Sequence, residues 1–204
     1  MNSSVPSKPV VFLKGVNSLV HQPDSIIIPQ ESQDLNYEVE LGFVIGEKVK
    51  RVEPKNVKNC LSGFFISLDM TERNLQAFFK KNSLPWTLSK SFDTSCPVGD
   101  FLSIDKMPKA LLEEPFFTTD EKEHLEIWLK VNGVVKQKDS TNLMVHSPVK
   151  IVSMISQFMT LEKGDLILTG TPKGIGSVKE GDVIEAGISG LSQIKFNVTK
   201  EHNR

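Results

Sequence analysis

Apolar residues recur at every second position in several short stretches, and Pro, Gly and charged residues separate those stretches. Residues 37–45 alternate, with Tyr37, Val39, Leu41 and Phe43 on one face and Glu38, Glu40 and Gly42 on the other, which predicts a strand. Phe64-Phe65-Ile66-Ser67-Leu68 is apolar almost throughout and reads as a buried strand that closes on Asp69. Residues 125–131 alternate strictly, Asn132-Gly133 follows, and then comes Val134-Val135-Lys136-Gln137, which together make a hairpin signature. Short apolar runs at 166–168, 183–187 and 194–198 supply the last strands. Residues 8–14 are a further strand candidate that begins abruptly after the polar stretch 1–7. The stretch 15–36 is loop-like, with Pro23 and Pro29 bracketing three isoleucines.

Helical spacing occurs twice. Residues 71–81 read as a helix capped by Thr71, with Leu75, Phe78 and Phe79 on one face and Arg73, Gln76 and Lys80 on the other. Ser147-Pro148 opens a second helix whose buried stripe is Ile151, Val152, Ile155, Phe158 and Met159. Residues 102–123, interrupted by Pro108 and Pro115, read as a surface insertion.

Composition narrows the class. At 204 residues the chain is expected to form one domain over 1–204, large enough to bury a substantial core. A net charge of −1 lacks the electrostatic footprint of a nucleic-acid or membrane-surface binder. No apolar run approaches the roughly 20 residues of a membrane span. Cys60 and Cys96 are too few for a disulfide framework, so both are expected to be structural in a reduced, intracellular setting. The stretch 1–7 has neither a secretory nor a transit-peptide pattern. His21, His124, His146 and His202 are scattered, with none at ligand spacing to another.

The candidate chemistry is acidic. Glu38 and Glu40 share a strand face roughly 7 Å apart, which taken alone fits an edge strand with its acidic face in water. Asp69 changes that picture, because a carboxylate closing a core strand is costly to desolvate without a partner. Three carboxylates brought together by two strands would make an oxygen-only site suited to Mg²⁺ or Mn²⁺. Arg73 and Gln76 follow closely enough to face the same site, where an Arg could bind a substrate carboxylate. Lys90 lies among Trp86, Leu88 and small hydroxyl residues. It reads either as a packed stem with a solvated head or as a member of the site. The Gly-rich loop 169–176 lacks the Lys-Ser/Thr spacing of a phosphate loop, which argues against a nucleotide site.

Several motifs in order resemble one family. They are Tyr-Glu-Val-Glu-Leu-Gly at 37–42, Leu-Asp-Met-Thr at 68–71, Pro-Trp-Thr-Leu-Ser-Lys-Ser-Phe-Asp at 85–93, Leu-Thr-Gly-Thr-Pro-Lys-Gly at 168–174 and Gly-Asp-Val-Ile-Glu-Ala-Gly-Ile at 181–188. Over roughly residues 8–198 the chain is similar to the fumarylacetoacetate hydrolase family, in its acylpyruvase and oxaloacetate decarboxylase branch. The resemblance implies an α+β, β-dominated fold of mixed sheets rolled around a metal site, as a homodimer. It implies Mg²⁺ or Mn²⁺ on Glu38, Glu40 and Asp69, with Gln76 and Lys90 as catalytic residues and Arg73 and Thr171 binding substrate. The substrate would be a small 2-oxo acid, whose keto and carboxylate oxygens chelate a divalent ion and whose enolate is common to acylpyruvate hydrolysis, oxaloacetate decarboxylation and oxaloacetate tautomerisation. The family's compartment implies a mitochondrial location, with the cytosol as the alternative. One departure is large. The family carries a Gly-Arg-Asn-Tyr segment and a His–Glu pair before the stretch matching 8–14, and this sequence begins where that segment should end. The expectation is a hydrolase or decarboxylase, with a tautomerase or a catalytically impaired 2-oxo-acid-binding member as alternatives.

Overall fold

The computed structural model describes residues 8–114 and 120–200. The strands are β1 (Leu19–Val20), β2 (Ile26–Ile28), β3 (Leu35–Tyr37), β4 (Val39–Ile45), β5 (Leu61–Leu68), β6 (Thr71–Glu72), β7 (Cys96–Pro97), β8 (Leu102–Ser103), β9 (Glu126–Val131), β10 (Val134–Ser140), β11 (Leu166–Leu168), β12 (Gly176–Ser177), β13 (Val183–Ile188) and β14 (Ser192–Lys200). The helices are α1 (Arg73–Lys81), α2 (Thr87–Lys90) and α3 (Pro148–Phe158). Among the described residues the larger sheets run β10-β9-β13-β14-β2 and β11-β4-β5-β8, and smaller ones run β12-β3-β6 and β1-β7. The β14–β2 and β1–β7 pairs are parallel and the rest antiparallel, so the architecture is the β-dominated mixed one expected.

The two larger sheets meet where β4 contacts β9 and where β5 contacts β13 and β14. Val39, Leu41, Phe43, Phe64, Ile66 and Leu68 from the first sheet lie in one continuous core with Leu129, Ile184, Ile194 and Phe196 from the second. This is the period-two pattern at work, since the apolar set of each strand faces the opposing sheet. The other face of the β4–β5 pair is also covered, by a smaller cluster of Phe65, Cys96 and Val98. That second cover corrects the edge-strand reading of 37–45. β4 is central, paired with β11 on one side and β5 on the other, and six of its seven residues are buried. Its predicted start is also split. Tyr37 belongs to β3, and Glu38 sits in the break before β4.

Other expectations hold or fail for identifiable reasons. The Asn132-Gly133 hairpin forms with φ of 51° and 77° at those residues, the left-handed geometry that a two-residue turn requires. Ser147 caps α3 by accepting from the Lys150 N–H at 3.2 Å. Ile151, Val152 and Ile155 are buried, but Phe158 and Met159, at the fraying end, are exposed. Residues 8–14 form no strand; they run unpaired along the surface as far as Lys14. The stretch 15–36, read as loop, contributes three short strands. Residues 102–123 are more than an insertion, because Met107 and Leu111 are buried in the core and β8 pairs with β5. The part of that stretch at 115–119, the N-terminal stretch 1–7 and His202 lie outside the described residues. No helix among the described residues is long and apolar enough to cross a membrane.

Gly42 faces Phe65 across the β4–β5 ladder, and a Cβ at Gly42 would come within 2.3 Å of the Phe65 ring. Phe65 is itself packed, so the ring has little room to move. Gly42→Ala is expected to destabilise the protein by about 1–3 kcal/mol, and Phe65→Leu in the same chain to recover part of that loss. Urea unfolding checks both; an unchanged midpoint for Gly42→Ala would contradict the close packing of this face.

Candidate metal centre

The β4–β5 register brings the acidic residues together. Val39 pairs with Leu68 and Glu40 with Ser67, and the ladder ends with the Asp69 N–H donating to the Glu38 carbonyl at 2.8 Å. Glu38 therefore lies opposite Asp69, and Glu40 follows two residues along on the face that Glu38 uses. One carboxylate oxygen from each of Glu38, Glu40 and Asp69 lies within 4.8 Å of the others. The three residues are only 7%, 5% and 1% exposed, so bulk water does not solvate their charges.

Cations from three other segments surround the cluster. Lys90, at the end of the one-turn helix α2, is 2% exposed. Its Nζ donates to Glu38 Oε2 at 3.0 Å, to Asp69 Oδ2 at 2.5 Å and to the Thr71 hydroxyl at 2.6 Å. The solvated-head alternative for Lys90 is thereby overturned: burial with two carboxylates places its ammonium inside the cluster. Arg73 Nη2 donates to Glu38 Oε1 at 2.5 Å, and its Nη1 donates to Gln76 Oε1 at 2.7 Å. Lys14 Nζ stands 2.8 Å from Asp69 Oδ1 and also donates to the carbonyls of Ser95 (2.8 Å), Met70 (3.3 Å) and Lys90. Lys14 thus joins Asp69 to the chain that carries Lys90. Phe12 lies over the same cation, with Lys90 Nζ 4.8 Å from its ring centre, and its ring is 6.0 Å from that of Trp86.

Helix α1 differs from the sequence reading in a way that matters here. Its cap is Glu72, which accepts from the Leu75 N–H at 2.5 Å, while Thr71 belongs to β6 and donates to the Asp69 carbonyl at 3.0 Å. The buried side is that of Gln76 and Phe79, and Leu75 and Phe78 are exposed. The helix turns its polar Arg73–Gln76 edge toward the carboxylates, so the ion pair to Glu38 prevails over burial of the longest apolar stripe. On the far side, the Thr169–Gly176 loop reaches the cluster through the Gly170 N–H, which donates to Glu40 Oε2 at 2.6 Å. Thr171 follows directly and accepts from Gln137 Nε2 at 2.9 Å.

All seven residues singled out from sequence, Glu38, Glu40, Asp69, Arg73, Gln76, Lys90 and Thr171, come to this one region. Two further members, Lys14 and Gln137, were missed. Lys14 ends an apolar run with no periodicity to mark it, and Gln137 sits in a strand whose alternation gives no hint of its burial. His21, His124 and His146 do not belong to the cluster.

The charges are unevenly shared. Burial pushes the Asp69 carboxyl up, but the Lys14 and Lys90 ammonium groups outweigh it and hold Asp69 below the usual carboxylate range. Burial, reinforced by the negative charges of Asp69 and Glu38, holds Glu40 well above that range, with the Gly170 N–H and Lys90 only partly opposing it. The cluster is therefore short of positive charge at Glu40. A hard divalent cation among three carboxylate oxygens would supply that charge, and the donor set fits Mg²⁺ or Mn²⁺.

The family model described as "Fumarylacetoacetate (FAA) hydrolase C-terminal" matches residues 1–199. The chain belongs to the fumarylacetoacetate hydrolase family. Within it, the chain is 41% identical over 200 residues to the mitochondrial oxaloacetate tautomerase FAHD1 of Bos taurus, spanning 98% of this chain and 85% of that protein. It is 42% identical to the mitochondrial oxaloacetate decarboxylase of Dictyostelium discoideum, spanning 97% of this chain and 86% of that protein. Among solved structures it resembles the fumarylpyruvate hydrolase of Pseudomonas aeruginosa in complex with Mn²⁺ and pyruvate, with a TM-score of 0.82 at 28% identity over 93% of this chain and 78% of that one. It also resembles 5-carboxymethyl-2-hydroxymuconate delta-isomerase from Mycobacterium smegmatis, with a TM-score of 0.84 at 29% identity over 100% of this chain and 74% of that one.

A pH signature follows from the opposed shifts. In the metal-free chain Glu40, with its pKa raised, favours folding below its unfolded pKa, and that contribution is lost as pH rises through the folded value. Asp69, with its pKa lowered, favours folding above its unfolded pKa, and that contribution is lost as pH falls through the folded value. A bound cation must displace the proton of Glu40, so metal affinity rises with pH. Saturating Mg²⁺ is expected to raise the unfolding temperature more at about pH 8 than at about pH 5, with about 2.7 kcal/mol of stabilisation available at a hundredfold excess over Kd. Thermal scans with Mg²⁺ and with EDTA check this; a pH-independent shift would contradict it.

Proposed function

We propose that the chain is a Mg²⁺- or Mn²⁺-dependent enzyme acting on oxaloacetate, as a keto–enol tautomerase with decarboxylation as the companion reaction. The observation that carries this reading is the buried Glu38–Glu40–Asp69 cluster with the Lys90 ammonium among its oxygens. The family relatives named for oxaloacetate chemistry, and the similar hydrolase structure with Mn²⁺ and pyruvate, support it. Glu38, Glu40 and Asp69 would hold the ion, which supplies Lewis-acid polarisation of a 2-oxo acid.

The protein's own groups then have distinct tasks. Arg73, already 2.5 Å from Glu38, offers a planar pair of donors for a substrate carboxylate, and Gln76 fixes the guanidinium from its other side. Lys90 presents a buried positive charge where negative charge develops on the keto oxygen, either as a proton leaves the neighbouring carbon or as carbon dioxide departs. Proton transfer alone completes tautomerisation. Decarboxylation breaks the bond to the departing carboxylate, releases carbon dioxide and leaves the enolate of pyruvate, which takes up a proton at carbon to give pyruvate. Thr171 adds a hydroxyl from the opposite side of the cluster. Acylpyruvate hydrolysis passes through a related enolate and remains a further activity to assay. A homodimer is part of the proposal, since it would cover apolar side chains such as Phe78 and Leu88, which are 54% and 68% exposed in the single chain. A mitochondrial location rests on the names of the relatives.

Lys90→Met is expected to lower kcat on oxaloacetate by about 10²–10³-fold, because it removes a preorganised charge from the developing oxyanion. Mg²⁺ affinity should be retained, since Lys90 competes with a cation for the same carboxylates. The assay follows oxaloacetate enol absorbance and pyruvate release, with EDTA and then Mg²⁺ or Mn²⁺ re-addition. Turnover that survives EDTA, or a Lys90→Met variant as fast as the unaltered protein, would overturn the reading.

A further inference from the structure

Apart from the charged residues, one buried polar side chain joins the two backbone segments that flank the cluster. Gln137 is 1% exposed, although it lies in β10, an edge strand whose Val134, Val135 and Lys136 are all exposed. A register shift between Val135 and Gln137 marks a bulge, and a bulge re-aims the side chain that follows it. Here it turns Gln137 inward.

The amide is used at both ends. Oε1 accepts the N–H of Val39, the residue between Glu38 and Glu40, at 3.0 Å. Nε2 donates to the Thr171 hydroxyl and to the Pro172 carbonyl, both at 2.9 Å. This orientation is forced, because a backbone N–H can only donate and a carbonyl can only accept. The Thr171 oxygen therefore acts as an acceptor toward Gln137, which leaves the hydroxyl proton to be donated elsewhere. The loop is pressed onto the same bulge. A Cβ at Gly174, where φ is +98°, would come within 2.3 Å of the Lys136 carbonyl oxygen. One residue before Thr171, the Gly170 N–H meets Glu40 at 2.6 Å, which ties the start of this loop to the cluster.

We propose that Gln137 is a positioning residue for substrate binding. By accepting from Val39 and donating to Thr171, it registers the Thr171 loop against the carboxylate-bearing strand and directs the Thr171 hydroxyl proton toward a carboxylate oxygen of a 2-oxo acid. The inference rests on the functional reading above and assigns the discrimination of anionic ligands to a strand outside the cluster.

The test is calorimetry of oxalate in the presence of saturating Mg²⁺, with Mg²⁺ affinity measured separately, on the full chain. The variants are Gln137→Glu, Gln137→Met, Thr171→Val and each Gln137 change combined with Thr171→Val. Gln137→Glu, ionised, still accepts from Val39 but also accepts from Thr171, which reverses the hydroxyl. It should weaken oxalate binding by about tenfold or more while Mg²⁺ affinity changes by less than about threefold. Gln137→Met frees the hydroxyl without reversing it and should cause a smaller loss. In the Thr171→Val background both losses should largely disappear, because the effect is transmitted through that hydroxyl. Equal losses with and without Thr171, or oxalate and Mg²⁺ affinities falling together with the unfolding temperature, would overturn the proposal and leave Gln137 as core packing. Failure of both variants to fold would do the same. If the unaltered protein binds no oxalate with Mg²⁺, the functional reading itself fails and the proposal falls with it, which is distinct from a cycle without coupling.

Discussion

The ammonium of Lys90 is buried among Glu38, Asp69 and Thr71, and the arrangement of the surrounding segments follows from it. Carboxylates removed from water are tolerable only when positive charge and hydrogen bonds replace the lost solvation. Removing one partner from such a cluster leaves an uncompensated buried charge, at a cost of about 3–5 kcal/mol. Lys90, Lys14 and Arg73 each come from a different part of the chain to prevent this. The irregular segment 8–14, the one-turn helix α2 and the start of α1 therefore have fixed places although none of them is a large element.

The sheets supply the rigidity that this balance needs. Glu38, Glu40 and Asp69 sit at the end of a two-strand ladder buried on both faces, so their backbones move with the core rather than with a loop. The groups facing them come from the irregular segment 8–14, the one-turn helix α2, the start of α1 and the Gly-rich loop. Glu40 is the least compensated of the three, and its raised pKa expresses that imbalance. A divalent cation would correct it by adding charge where Lys14 and Arg73 do not reach.

Much of this was legible in the sequence, though unevenly. The alternation in 37–45 and the apolar run closing on Asp69 located the carboxylates, because period two and burial are properties of the local sequence. The hairpin at Asn132-Gly133 and the Ser147-Pro148 helix start were legible for the same reason. The faces of α1 were not. Its apolar side chains Leu75 and Phe78 are exposed, and an ion pair to a residue 35 positions away, Arg73 to Glu38, sets the helix rotation. Lys14 was hidden because its partners are backbone carbonyls as distant as Ser95, and no spacing rule reports such contacts. Gln137 was hidden by a bulge, which breaks the alternation on which strand reading depends.

The central claim is that Glu38, Glu40 and Asp69 together hold one divalent cation and that Lys90 yields its place among them. The most direct measurement is anomalous diffraction from crystals grown with Mn²⁺. The account predicts one anomalous peak per chain within coordination distance, about 2.1–2.2 Å, of an oxygen from each of the three carboxylates, with the Lys90 ammonium shifted away from Asp69. No peak at the cluster, with Mn²⁺ bound elsewhere or nowhere and Lys90 still between Glu38 and Asp69, would contradict it.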